Sequence, residues 1–262
     1  MNEKYLLSDD EVLAFVIRGY HLVKPDLPEE FHDSITRQLE QLEKNPGNDI
    51  LERVPDLQRV YDDPTVDGVL KSLLGHNYLM DGHRHWHTVQ PGQPSQGWHQ
   101  DGTNVRHHQI WCLLAMYYPH DVTVEMGPTV LMPGTHFRNA PTDRLQTYGN
   151  LRGQVPLAVD RGTVAVAHYD IWHAGTRNKT DRARMMLKFL FNRTESPAAP
   201  SWNHDPEFGS DAAMRWIRKQ ELPWWGGSDF YKEWELRAEM WEWMRGREDP
   251  APPPGGFRLM LS

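Results

Sequence analysis

Two short stretches of this chain place a histidine and an aspartate two residues apart, His99-Gln100-Asp101 and His168-Tyr169-Asp170. On a β-strand, residues i and i+2 point to the same face, so either tripeptide offers an imidazole and a carboxylate side by side. A divalent redox metal with vacant positions is commonly held by two imidazoles and one carboxylate on one face. Each tripeptide therefore needs a distant second histidine. The first finds it at His173, 72 residues beyond Asp101, with Arg184 a further 11 residues on. The second could pair with His204, and Arg215 again stands 11 residues beyond. Spacing alone does not choose between them. Only 34 residues separate Asp170 from His204, too few for several intervening strands, and Arg215 lies in the helical-looking run 211–219 rather than on a strand. The first set, His99, Asp101 and His173, is the candidate metal and catalytic site.

Such ligands need a β-rich frame to position them. From residue 78 to about 192 the chain breaks into β-prone runs, 78–90, 109–118, 129–132, 155–159, 163–167 and 183–191. Pro91-Gly92, Gly127-Pro128, Pro133-Gly134 and Arg161-Gly162 punctuate them as turn signals. Before this stretch the sequence reads as helical. Ser8 and Glu11 form a capping box, Val12, Phe15 and Val16 recur at helical spacing until Gly19, and a strand-like Tyr20-His21-Leu22-Val23 follows. Steps of three and four through Phe31, Ile35, Leu39 and Leu42, and through Val66, Val69, Leu70 and Leu73, predict amphipathic helices over 28–44 and 64–74. After Pro197 helices return, with a Trp-rich one from 228 to about 245. The expected architecture is mainly β with flanking helices, a double-stranded β-helix or jelly roll. One domain is expected over 1–262, with a helical N-terminal region spanning 1–75, a jelly-roll core about 78–192 and a helical C-terminal region spanning 197–248.

Bulk composition excludes several classes. Apolar residues make up 39% and aromatic residues 11% of the 262 positions, ample for a globular core. The longest apolar run, 110–118, falls far short of the ~20 residues of a membrane helix, and Met1-Asn2-Glu3-Lys4 lacks the basic-then-apolar pattern of a signal peptide. A soluble, cytoplasmic protein is expected. The single cysteine, Cys112, excludes an intrachain disulfide and a cysteine-rich metal site, which suits a reducing compartment. With Lys and Arg at 28 against Asp and Glu at 36, the formal charge of −8 argues against a general polyanion binder, so nucleic acid is not an expected partner. The Pro-rich Pro250-Ala251-Pro252-Pro253-Pro254-Gly255-Gly256 reads as an extended tether.

Three segments carry a resemblance to a known family. They are Gly97-Trp98-His99-Gln100-Asp101, then Gly127-Pro128-Thr129-Val130-Leu131-Met132-Pro133-Gly134-Thr135-His136, and Trp172-His173-Ala174-Gly175-Thr176-Arg177-Asn178 through Arg184. Together with the opening Leu7-Ser8 to Gly19-Tyr20, they resemble the phytanoyl-CoA dioxygenase family over roughly residues 5–195. The resemblance implies a jelly-roll oxidoreductase that uses Fe(II), 2-oxoglutarate and dioxygen. Oxidative decarboxylation of the co-substrate to succinate and carbon dioxide would be coupled to attack on a C–H bond of a small-molecule substrate. Family halogenases replace the metal-binding acid by a small residue to admit chloride; Asp101 is present, so hydroxylation is implied. His99, Asp101 and His173 would leave three coordination positions, two for the chelating keto acid and one for oxygen. Arg184 would grip the distal carboxylate of 2-oxoglutarate through two parallel hydrogen bonds, a geometry lysine cannot match. Gln90 lies where family members often place a polar contact to 2-oxoglutarate. Thr129 is a second candidate for such a contact, with an ordinary β-strand threonine as the equal alternative.

Other features are less sharp. His83, His85 and His87 alternate along one strand and would share a face, which suits a three-His zinc site or, with no carboxylate near to complete it, a solvated or packed face. His136 is expected to stabilise the Pro133-Gly134 turn. In the Trp-rich segment Tyr231, Trp234, Trp241 and Met244 fall near one stripe while Glu233, Glu235, Glu239 and Glu242 dilute the rest, which predicts core packing, with a lid or dimer contact as the alternative. If Arg184 faces the interior, alternation puts Met186, Lys188 and Leu190 beside it and Ala183, Met185, Leu187, Phe189 and Phe191 on the other face. An interior Lys188 must meet a carboxylate or phosphate, either structural or a ligand's, and the second case makes the substrate a small anionic metabolite. Two rival classes remain. A cupin-like metal-binding protein or isomerase with the same three ligands would not need Arg184, and an oxygenase fold that had lost activity would need a broken ligand set.

Overall fold

The computed structural model describes residues 3–102, 105–139, 148–219 and 227–247; the opening Met1-Asn2 and the Pro250–Gly256 segment lie outside the described residues. Helices α1 (Asp9–Arg18), α2 (Glu29–Glu40), α3 (Ile50–Arg53), α4 (Leu57–Asp62) and α5 (Pro64–Leu74) come first, with strand β1 (Tyr20–Val23) between α1 and α2. The ends of α1 follow from its sequence. The Ser8 N–H donates to the Glu11 carboxylate at 2.8 Å, the Glu11 N–H donates to the Ser8 hydroxyl at 3.4 Å, and Gly19 closes the helix at φ 80°. α5 begins on Pro64, with the Asp63 carboxylate accepting from the Thr65 N–H at 2.9 Å, and stops at Gly75. α2 is shorter than the predicted 28–44. Pro46 disfavours helical backbone at Asn45, just past the predicted end, and the Asn45 side-chain Nδ2 donates to the Trp86 carbonyl at 2.7 Å.

The strands that follow are β2 (Leu79–Val89), β3 (Cys112–Tyr117), β4 (Thr129–Leu131), β5 (Val155–Pro156), β6 (Val164–His168), β7 (His173–Gly175) and β8 (Arg184–Asn192). They form two antiparallel sheets, one ordered β1-β6-β3-β8-β2 and one ordered β5-β4-β7. The architecture is a double-stranded β-helix, a jelly roll with helices on one side. Alternation divides the faces of the larger sheet. Leu113, Tyr117, Val166, Leu187, Phe189 and Phe191 share a core with helix residues such as Phe15, Ile35 and Leu70, and the Tyr61 ring stacks on Phe189 at 4.7 Å. Leu114, Met116, Ala165, Ala167, Met186 and Leu190 turn the other way, toward Leu131 of the smaller sheet.

Burying one Leu or Phe contributes about 1.5–3 kcal/mol, so the helix-facing row of β8 fixes that strand's register firmly. Register in turn sets where Arg184 and Lys188 enter the space between the sheets. A slip of one residue would turn both cations into the apolar core and expose the cavity to Phe189 instead.

Helices α6 (Ser210–Lys219) and α7 (Gly227–Met244) complete the described elements. The Trp-rich α7 is core, as predicted: Met240, Trp241, Trp243 and Met244 are buried and belong to the helix-side cluster. Its buried stripe differs from the predicted one. Tyr231 is exposed, and Glu233 is buried because the Arg138 guanidinium donates to it and Arg237 lies one turn away. A glutamate with arginine partners can enter a core that a helical-wheel reading reserves for apolar residues. Among the described residues no helix is long and apolar enough to cross a membrane.

Candidate metal centre

His99 and His173 face each other across a short backbone pairing. The His99 N–H donates to the His173 carbonyl at 3.0 Å and the His173 N–H to the His99 carbonyl at 2.8 Å, which brings the rings to a centroid separation of 4.2 Å. On its other side β7 pairs with β4, so His173 is fixed between two extended segments. In each ring Nδ1 lies against the carbonyl two residues back, Gly97 at 2.9 Å and Ile171 at 3.1 Å. A carbonyl only accepts, so Nδ1 carries the proton and Nε2 presents its lone pair. Asp101 closes the triangle, with Oδ1 3.8 Å from His99 Nε2 and Oδ2 3.6 Å from His173 Nε2. The three ligand atoms lie within 4.8 Å of one another, and no other such group of three occurs among the described residues.

The electrostatics favour a cation there. Burial pushes His173 down to about 4, so it is neutral near pH 7. Burial acts to raise the Asp101 carboxyl, but His173, Lys188 and His99 together outweigh it and hold it at about 2. Lys188 Nζ donates to Asp101 Oδ2 at 2.6 Å, so the interior lysine meets a carboxylate of the chain itself.

Arg184, the first residue of β8, is only 2% exposed. Its Nη2 donates to the Gly127 carbonyl at 3.1 Å, while Nε and Nη1 are buried with no hydrogen-bond partner. Gly127 has φ 74°, and a Cβ there would lie 2.6 Å from the Thr176 carbonyl oxygen, so only glycine lets this turn present its carbonyl to the arginine. Each buried donor without a partner costs about 1–3 kcal/mol. An arginine held this way fits an acceptor with two oxygens that comes from outside the chain.

These groups line one cavity of about 500 Å³ together with Thr129, Gln96, His87, Met116 and Met186. Thr129 is buried and lies in it as a candidate contact. Gln90 does not: it follows β2 on the opposite parity from His87 and Val89, and lines a separate cavity with Trp86, His120 and Arg182. The expected 2-oxoglutarate contact from Gln90 is therefore corrected. Gln96, whose amide nitrogen approaches His99 Nε2 at 3.4 Å, escaped the sequence reading because it lies on an irregular segment with no periodicity to mark it.

The remaining histidines separate cleanly. His83, His85 and His87 run as a ladder with ring centroids 3.8 and 5.5 Å apart, and they form no three-ligand cluster. His136 ties the turn region to α1 rather than to the turn itself, its Nε2 donating to the Val16 carbonyl at 3.1 Å. His168 and Asp170 are buried structural groups, and His204 is held by Asp9 at 2.7 Å, far from any role beside Asp170. Arg215 is exposed on α6.

A jelly roll that holds a cluster of two histidines and one carboxylate between its sheets defines a class of protein. The chain belongs to the phytanoyl-CoA dioxygenase (PhyH) family, whose sequence profile matches residues 7–186. It is 30% identical over 96 residues to the proteins Rv1501 of Mycobacterium tuberculosis and Mb1539 of Mycobacterium bovis. That match covers 37% of this chain and spans only 34% of the length of each of those relatives. Among solved structures, HygX from Streptomyces hygroscopicus with nickel and 2-oxoglutarate bound superposes with a TM-score of 0.62 at 15% identity, over 72% of this chain and 87% of HygX. SnoK, a non-haem alpha-ketoglutarate-dependent carbocyclase from nogalamycin biosynthesis, gives 0.58 at 19% identity, over 84% of this chain and 94% of SnoK. At these identities the likeness is one of fold.

Proposed function

We propose that this protein is an Fe(II)- and 2-oxoglutarate-dependent dioxygenase that hydroxylates an unactivated C–H bond of a small molecule, releasing succinate and carbon dioxide. Family membership supports the reaction class. The observation that carries the co-substrate is Arg184, whose Nε and Nη1 are buried and unpaired in the cavity shared by His99, Asp101 and His173. A cupin-like protein without oxygen chemistry would leave those two donors unanswered. HygX, of like fold, has been solved with 2-oxoglutarate bound.

His99, Asp101 and His173 would hold Fe(II), which suits two neutral imidazoles and a carboxylate with open positions. When bound, the iron with 2-oxoglutarate and dioxygen supplies the oxidising power for C–H cleavage. The chain's own residues do the positioning. The Gly97 and Ile171 carbonyls keep each ligand ring on its Nε2 lone pair. Arg184 orients the distal carboxylate of the co-substrate, with Thr129 as a further hydroxyl contact. Met116 and Met186 form an apolar wall that keeps water away from the reacting carbon. Asp101 occupies the position chloride would need, which favours hydroxylation over halogenation.

The reaction is tested by supplying Fe(II), 2-oxoglutarate, dioxygen and chloride with a panel of small metabolites. Succinate formation together with a product one oxygen atom heavier is expected. A chlorinated product, or no succinate with any member of the panel, would contradict the proposal.

A further inference from the structure

We infer that the cavity takes a substrate bearing a carboxylate or phosphate, and that Lys188 binds this acidic group. The inference rests on the Fe(II) and 2-oxoglutarate reading above and adds the substrate's chemical class. Lys188 is 8% exposed, and its strand register places it between His85 on β2 and Met116 on β3. Among the described residues that line the cavity, Arg184 and Lys188 are the only cations and Asp101 is the only carboxylate.

Formal charge then points to an anion. A divalent metal ion, the Asp101 anion, the 2-oxoglutarate dianion and the Arg184 cation sum to zero. The ammonium of Lys188 is left over. Asp101 cannot fully neutralise both a metal ion and Lys188, and an uncompensated buried charge is strongly disfavoured. One further negative charge would complete the cavity, and neither iron nor co-substrate supplies it.

Geometry leaves room for that contact. An ammonium has three donors, and Asp101 takes one of them at 2.6 Å. Lys188 lies four residues along β8 from Arg184, roughly 13 Å for extended chain, so the two cations mark separate regions of the cavity. Beside Lys188 on the same side stands His87, which faces Met186 across the β2–β8 ladder and lines the cavity. Its Nε2 is buried with no hydrogen-bond partner. Burial keeps this ring neutral, so it offers a hydrogen bond without adding charge. Lys188 and His87 thus present a cation and an unanswered polar nitrogen on one wall, with Met116 and Met186 available to the apolar remainder of the substrate.

The test uses the whole chain loaded with Co(II) and 2-oxoglutarate without oxygen, so that no turnover occurs. Small carboxylic acids and phosphate monoesters are titrated beside their matched amides and alcohols, with binding read from the Co(II) visible spectrum and by calorimetry. At least one acid should bind about tenfold or more tightly than its neutral partner, as a charge-assisted contact requires. The carboxylate and phosphate arms show which acid the site prefers. Lys188→Met should abolish the preference, Lys188→Arg should retain some of it, and His87→Phe, which spares the ion pair, should weaken acid binding several-fold. Three results would overturn the inference: no acid exceeding its neutral partner, a preference that survives Lys188→Met, or a Lys188→Met effect confined to Co(II) or 2-oxoglutarate affinity. The last would make Lys188 a partner of Asp101 or of the co-substrate alone. Failure of the unmodified chain to take up Co(II) and 2-oxoglutarate, visible before any acid is added, would bring down the parent reading and this one with it.

Discussion

His99-Gln100-Asp101 and His168-Tyr169-Asp170 share one pattern, but the fold spends their hydrogen-bonding groups differently. Both nitrogens of His168 are engaged: Nε2 donates to the Gln109 carbonyl at 3.2 Å, and Nδ1 accepts from the Asp170 N–H at 3.1 Å. His99 commits only Nδ1 to the backbone and turns Nε2 toward the cavity. Asp170 is saturated in the same way. It accepts from His107 Nε2 at 2.9 Å and from the Gln100 amide at 3.5 Å, and it lies so close over Gly102 that any Cβ there would collide with its carboxylate. A histidine–aspartate pair can therefore bind a metal where the backbone takes one ring nitrogen and leaves the other facing a cavity, as it does at His99, whose Nε2 meets only the long 3.4 Å approach of the Gln96 amide. The two pairs are also coupled. Gln100, which stands between His99 and Asp101, reaches Asp170, so the second tripeptide fastens the segment that carries the first.

Removing a histidine from each pair separates their roles by the widest margin. His173→Ala, or His99→Ala, should abolish Fe(II) uptake and succinate formation, whereas His168→Gln should retain both, since a Gln amide can still donate to the Gln109 carbonyl. Equal loss in both variants, measured by metal titration of the folded proteins, would erase the distinction. The next largest effect is expected at Arg184. Arg184→Lys gives up a paired contact worth about 1.5–3 kcal/mol, so the apparent constant for 2-oxoglutarate should rise by roughly tenfold to a hundredfold. If steady-state kinetics showed only the substrate constant moving, Arg184 would belong to the substrate.

Asp170→Ala sharpens the coupling between the two tripeptides. Leaving the half-buried His107 and the buried Gln100 without this acceptor should cost about 1–3 kcal/mol in denaturant unfolding. Metal affinity should weaken while stoichiometry is unchanged. Unaltered affinity in a destabilised protein would show that the second pair supports the fold alone. The smallest effect is a pH dependence. Burial, only partly opposed by Asp170, lowers His168 from 6.5 to about 4, so the unfolded chain binds this proton more readily than the folded one. Its stabilising contribution is complete above pH 6.5 and is lost as the pH falls from there toward 4. In His168→Gln the stability of the metal-free protein should lose a slope of up to ~1.4 kcal/mol per pH unit over that window. An unchanged slope would mean that other groups carry it.

How much of this could be read from residues alone varies with the kind of signal. α5 was legible at both ends because Pro64 and Gly75 are chemical boundaries as well as pattern breaks. The inner and outer rows of β8 followed from alternation over nine consecutive buried residues. β7 left no such trace, since three residues cannot display a period, and His173 could be found only through its partners. The parity of Gln90 could not be fixed from the residues because nothing in the sequence says which row of β2 faces the cavity; pairing with β8, which sets His87 opposite Met186, decides it. Glu233 misled the helical stripe because its burial depends on Arg138, 95 positions away in the sequence. The segment between β2 and β3, which brings His99 and Asp101 into place, is organised by Asp170 and by pairing with His173, and such distant contacts leave no local pattern.

In the proposed function one cavity binds a ferrous ion through His99, Asp101 and His173 and a keto diacid through Arg184. Anaerobic titration of the protein with Fe(II) and then 2-oxoglutarate tests both halves at once, because the weak visible charge-transfer band of a chelated keto acid forms only when metal and co-substrate share a site. A saturable band at one equivalent of iron is expected, lost in His173→Ala and shifted to higher 2-oxoglutarate concentration in Arg184→Lys. Absence of the band in the unmodified protein, or its persistence unchanged in His173→Ala, would contradict the account.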